Sequence, residues 1–101
     1  MKLWVDDERP APDDSWSTAK DSHSARVVLA LCHLARLEEV SLDHDLGGED
    51  NGMIVLNCMA DHAVWPATLT IHTANPPARE RMLAAANADA PDWVDINVIY
   101  L

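Results

Sequence analysis

Short runs of alternating apolar and polar residues recur along the chain, separated by stretches whose apolar positions fall three and four apart. Lys2 to Asp6 (KLWVD) alternates and stops at a carboxylate. Glu39 to Asp43 (EVSLD), Thr68 to Thr73 (TLTIHT) and Val94 to Tyr100 (VDINVIY) follow the same pattern, and Trp16 to Ala19 fits a brief strand. Between them, helical spacing predicts a first helix capped by Ser22 or Ser24 and running to about Leu37. Its broad apolar face is Val28, Leu29, Leu31, Cys32, Leu34 and Ala35. A second helix is expected from Gly52 to His62, with Ile54, Val55, Cys58 and Met59 as its stripe. A third opens at Pro77, a residue suited to a first turn, and runs through alanines to about Ala88. Asp7 to Ser15 reads as a loop, broken by Pro10, Pro12 and the Asp13-Asp14 pair.

Strands alternating with helices predict an α/β fold with a mostly parallel sheet. A strand covered on both faces reads as a continuous apolar run, and these do not. Leu3, Val5, Val40, Leu42, Leu69, Ile71, Val94, Ile96 and Val98 fall on one face. Lys2, Trp4, Glu39, Ser41, Thr68, Thr70, His72, Asp95 and Asn97 fall on the other. Helices are therefore expected on the first face only. Trp4 and Ile99 leave the second face mixed, which suits solvent or a homodimer formed through it.

Length and charge narrow the functions. The 101 residues predict a single domain, 1–101. Seventeen acids against seven bases give a net charge of -10. A surface of that sign repels phosphate backbones, so generic nucleic-acid binding is not expected. A phosphorylated ligand needs a cation or local arginines to reverse the field. No apolar run approaches the roughly 20 residues of a membrane span. Cys32 and Cys58 lack CxxC spacing and read as free thiols of a reducing cytosol, so a cytoplasmic location is expected.

In open α/β sheets function gathers beyond the carboxyl ends of the strands. Asp6 or Asp7 is expected to meet Asp43 and Asp45 there, and all four are candidate metal ligands. Carboxylates so close resist joint ionisation without a cation. Oxygen ligands suit a hard one, so Mg²⁺ or Mn²⁺ is the expected cofactor. His44 and His72 also follow apolar strand runs, and either can serve as general acid or base near neutral pH. Thr73 and Asn75 offer a hydroxyl and an amide to phosphate oxygens. Arg9, Arg79 and Arg81 offer guanidinium groups, the last two near a helix N-terminus that favours anions.

An acidic pair ending the first strand, Asp43 ending the third and Thr73 ending the fourth resemble a response-regulator receiver domain. That resemblance implies sheet order 2-1-3-4-5, a receiver or flavodoxin-like fold, and Asp43 as a phosphoryl acceptor. A receiver's first and last helices have no counterpart here, which leaves one sheet face uncovered by helices. No lysine lies beyond Lys20 to match the receiver's strand-five lysine. The stretches LWVDDERP, SLDHDLG and IHTANPPARERM are more closely similar to a receiver-derived family of bacteria and phages, the cyclic-phosphate-processing receiver-like domains. That resemblance implies metal-dependent, phosphoesterase-type processing of a cyclic or terminal phosphate. The expected partner is a small phosphorylated nucleotide or an RNA terminus. The alternative is a non-catalytic module that senses or sequesters a nucleotide, or docks on a protein.

Overall fold

A computed structural model of the chain describes residues 1–32 and 36–100. Its elements are β1 (Lys2–Val5), β2 (Trp16–Ala19), α1 (Ser22–Ala30), β3 (Glu39–Leu42), α2 (Gly52–His62), β4 (Thr68–Ile71), α3 (Pro76–Asp89) and β5 (Asp95–Val98). All strand pairs are parallel, and the order is β2-β1-β3-β4-β5. This is the receiver-like α/β sheet that the alternation and the motif order predict.

The apolar face is dry. Leu3, Val5, Val40, Leu42, Leu69 and Ile71 are completely buried. They pack against Ala25 and Leu29 of α1, Val55, Leu56 and Met59 of α2, and Met82 and Ala86 of α3. Each large side chain buried this way contributes about 1.5–3 kcal/mol relative to exposure. Val94 joins this core from just before β5. Ile96 and Val98 are only half-buried, because β5 is an edge strand.

The first helix departs from its predicted bounds at both ends. Its cap is Asp21, whose carboxylate accepts the Ser24 N–H at 2.7 Å. It stops at Ala30, and Leu31 turns the chain. The pattern missed this because Arg36 to Glu38 are needed as extended chain. The N-terminal amine donates to the Arg36 carbonyl, the Glu38 N–H to the Met1 carbonyl, and the Ala67 N–H to the Leu37 carbonyl. These bonds lead directly into β3. His33, Leu34 and Ala35, assigned above to the helix, lie outside the described residues.

The second sheet face carries no helix among the described residues. It is nevertheless closed at its centre, where Trp4, Ser41, Thr70 and His72 are buried. Register aligns Trp4, Ser41 and Thr70 side by side on β1, β3 and β4. The Trp4 indole stacks on His72, ring centroids 3.9 Å apart and 8° from parallel. Its Nε1–H donates to the Arg9 carbonyl, which ties the following loop over the face. Cys32 and Cys58 are free and half-buried. Among the described residues no helix is long and apolar enough to cross a membrane.

Candidate metal and phosphate site

Strand register assembles the site. Val5, Leu42 and Ile71 are paired neighbours on β1, β3 and β4. The next residue of each is Asp6, Asp43 and His72. The ladder runs on through them, with Asp43 N–H donating to the Val5 carbonyl and His72 N–H to the Leu42 carbonyl. Neighbouring strands lie about 4.8 Å apart, so three polar side chains one step past the core stand in one row.

All three are buried, at 3%, 6% and 1% exposure. Asp6 organises the turn that follows it. Its Oδ1 accepts the Glu8 and Arg9 N–H groups, both at 2.8 Å, and its Oδ2 meets His72 Nε2 at 2.9 Å. An ionised carboxylate only accepts, so His72 donates through Nε2–H. Its Nδ1 then accepts the Ser41 hydroxyl at 2.7 Å. Both ring nitrogens are thus engaged. Burial pushes the His72 pKa down, against the opposing pull of Asp6 and Asp43.

Asp6, Asp7 and Asp43 each offer a carboxylate oxygen within 4.8 Å of the others. Asp43 accepts its neighbour's N–H, from His44, at 2.8 Å and also bonds the Thr73 side chain. Burial holds its carboxyl above the ordinary range. The Asp6 charge adds to that rise, while the His44 N–H, the Thr73 hydroxyl and His72 oppose it. Three acids converge here, and burial leaves Asp43 reluctant to ionise, so the donor set is of a kind that suits a hard cation. Asp6 has used most of its lone pairs, so Asp7 and Asp43 offer the freer oxygens.

The loop after β3 folds back beside this cluster. Asp45 bridges Asn51 in antiparallel fashion, Leu46 N–H donates to the Asp50 carbonyl, and Asp50 N–H donates to the Gly47 carbonyl. Leu46 is buried as the anchor. Gly47 has φ +95°, and a Cβ there would stand 3.6 Å from Asp7 Oδ2. That distance is ordinary contact, so what glycine supplies here is the left-handed turn.

A family model described as the cyclic-phosphate processing receiver domain matches residues 1–88. The chain belongs to that family. The match spans β1 through nearly all of α3, and so takes in every residue of the acidic cluster. No curated protein and no solved structure matches the chain.

Within this family member, the residues singled out from sequence divide clearly. Asp6, Asp7, Asp43, His72 and Thr73 are brought together. Arg9 Nη1 lies 3.9 Å from Asp43 Oδ2, at the edge of ion-pair range, with its side chain about half exposed. Asp45 is not brought in: its carboxylate is 71% exposed and meets His44 Nδ1 at 2.9 Å. Asn75 spends its side-chain oxygen capping α3 at the Ala78 N–H. Arg79 packs its guanidinium on the Tyr100 ring, 4.6 Å from the centroid, with a buried Nε that finds no acceptor among the described residues. Arg81 is exposed, and two helical positions from Arg79 it faces elsewhere. Ser41 and Trp4 were not singled out. Their signal was present, because alternation places both on the face that carries His72.

The His72 pKa has a consequence for stability. Because it is lowered in the fold, the unfolded chain binds its proton first as pH falls below the ordinary value of 6.5. Stability is therefore complete above that value, and is lost as pH falls toward the folded pKa. His72→Gln keeps an N–H donor for Asp6 and cannot titrate. Urea unfolding at mildly acidic and mildly alkaline pH is expected to show a smaller acid loss in the variant than in the wild type.

Proposed function

We propose that this protein is a divalent-metal-dependent phosphoesterase that opens a cyclic phosphate on a nucleotide or an RNA end. The observation that carries the reading is the convergence of Asp6, Asp7 and Asp43 at the carboxyl edge of the sheet, in a family described by cyclic-phosphate processing. A bound Mg²⁺ or Mn²⁺ would be held by Asp7 and Asp43 with the remaining lone pair of Asp6, and would supply charge neutralisation at the phosphoryl oxygens.

The chain's own groups divide the remaining work. Arg9 is the exposed cation nearest Asp43 and takes a phosphate oxygen. His44 pairs with the outward-facing Asp45 and is given no part at the cluster. Solvent carries the proton: the attacking water releases one as its oxygen bonds to phosphorus, and the ribose oxygen takes one up as that P–O bond breaks. One P–O bond forms, one breaks, and the product is a monoester. His72 holds Asp6 in place and is a positioning residue, since neither of its nitrogens is open to a substrate.

A second reading, a module that binds the nucleotide without turnover, draws on that same saturation of His72 and Asp6. Phosphorus NMR separates the two. With a 2′,3′-cyclic nucleotide and Mg²⁺ or Mn²⁺, the phosphoesterase converts the cyclic resonance to a monoester resonance, and EDTA stops the conversion. Cation-dependent stabilisation with no new resonance supports the binding module and overturns the enzyme.

A further inference from the structure

The loop from Asp7 to Asp14 does not lie flat on the helix-free face. It walls a groove of about 640 Å³ against Trp4, Trp16, Thr18 and Lys20. That volume suits a ligand the size of a nucleotide. We infer that this groove seats the nucleobase of the ligand whose phosphate meets the acidic cluster; the inference rests on the function proposed above and names the ligand class of that site.

Three features point to a base. The first is continuity: Asp6 and Asp7 belong both to the groove wall and to the acidic cluster, so a ligand anchored at the cluster extends into the groove. The second is aromatic surface. Trp4 and Trp16 both line the groove, with ring centroids 5.8 Å apart at 78°. The ring systems of nucleobases stack on such side chains whatever the sequence. Trp4 is already clamped on His72, so Trp16, half-buried at the edge strand, is the ring left to meet a ligand.

The third feature is charge. Asp13 is committed to Ser15, whose N–H and hydroxyl it accepts, but Glu8 and Asp14 remain in the wall. Such a wall rejects a free phosphate and accepts an uncharged ring carrying N–H donors. The basic side chains sit around it: Lys20 and Arg9 line the groove, and the Lys2 ammonium stands 5.0 Å from the Trp16 ring centroid. These are three of the seven bases in the chain. They offset the acidic field where a ligand must enter.

The test uses ligands that need no turnover, so its failure is distinct from failure of the phosphoesterase reading. Adenosine 2′-monophosphate and glycerol 2-phosphate carry the same phosphate monoester, and only the first has a base. With Mg²⁺ present, the full chain is expected to bind the nucleotide at least about tenfold more tightly, a typical stacking contribution. In NMR titration the Trp4 and Trp16 indole resonances shift, while those of Trp65 and Trp93 stay. Trp16→Ala reduces the affinity ratio about tenfold, and Trp16→Phe restores most of it. Equal affinities, shifts elsewhere, or an unchanged ratio in folded Trp16→Ala would each overturn the base seat. If that variant does not fold, the wild-type indole shifts decide.

Discussion

Gly52→Ala is expected to be the most destabilising of the three glycine-to-alanine changes in the chain. A Cβ at Gly52 would sit 1.9 Å from the Asp43 carbonyl oxygen and 3.1 Å from both the Asp43 carbonyl carbon and Met82 Cε. The first of these is backbone and cannot swing aside. Gly52 N–H also donates to the His44 carbonyl at 2.7 Å, so α2 is tied to the end of β3 at the point of contact. The methyl must push the helix off the strand. We expect a loss of about 3 kcal/mol, the upper end of overpacking costs. That corresponds to a fall in melting temperature on the order of 15 °C for a domain of this size. Gly48→Ala is the control. Its Cβ would meet nothing within 4 Å, and its cost is only that of the left-handed φ of +58°, about 1 kcal/mol. Thermal melts of the two variants giving equal losses would contradict the steric account.

The second large effect is expected at Asp43, where activity and stability move in opposite directions. Asp43→Asn retains the oxygen that accepts the His44 N–H but removes the charge. Turnover of a cyclic phosphate is expected to fall on the order of a thousandfold, as for the loss of a group that stabilises phosphoryl charge. Without cation, the variant is expected to melt higher than the wild type. The sign follows from the raised pKa. The folded chain holds the Asp43 proton to higher pH than the unfolded chain, whose value is near 3.8. The stability present below that value is lost as pH rises through the folded pKa. At neutral pH the buried carboxylate therefore weakens the fold. A variant that melts lower than the cation-free wild type would refute this view of the site.

The sheet was legible because its faces are so different. Leu3, Val5, Val40, Leu42, Leu69 and Ile71 alternate without exception, and register then places Asp6, Asp43 and His72 in one row. The end of α1 was not legible. Its apolar spacing continues past Ala30, and only pairing with Met1, Ala67 and Thr68, all distant in sequence, commits Arg36 to Glu38 to extended chain.

At the site, residue types predicted the carboxylate cluster but not how its oxygens are divided. Asp45 looks like a ligand in SLDHDLG, yet the antiparallel bridge to Asn51 carries it outward to His44. His72 looks like the catalytic histidine from its place at a strand end. Only three dimensions show that Asp6 and Ser41 occupy both of its nitrogens. Arg79 and Arg81 share a helix, but helical geometry separates them and Tyr100 engages the first. Side-chain partners across strands and loops are long-range facts that local pattern does not encode.

We propose that Asp6, Asp7 and Asp43 form a divalent-cation site at the carboxyl edge of the sheet. Calorimetric titration of Mn²⁺ into wild type and Asp43→Asn tests it most directly. One saturable site is expected in the wild type, reversed by EDTA, and its loss is expected in the folded variant. Equal binding in the two proteins, or no binding in the wild type, would contradict it.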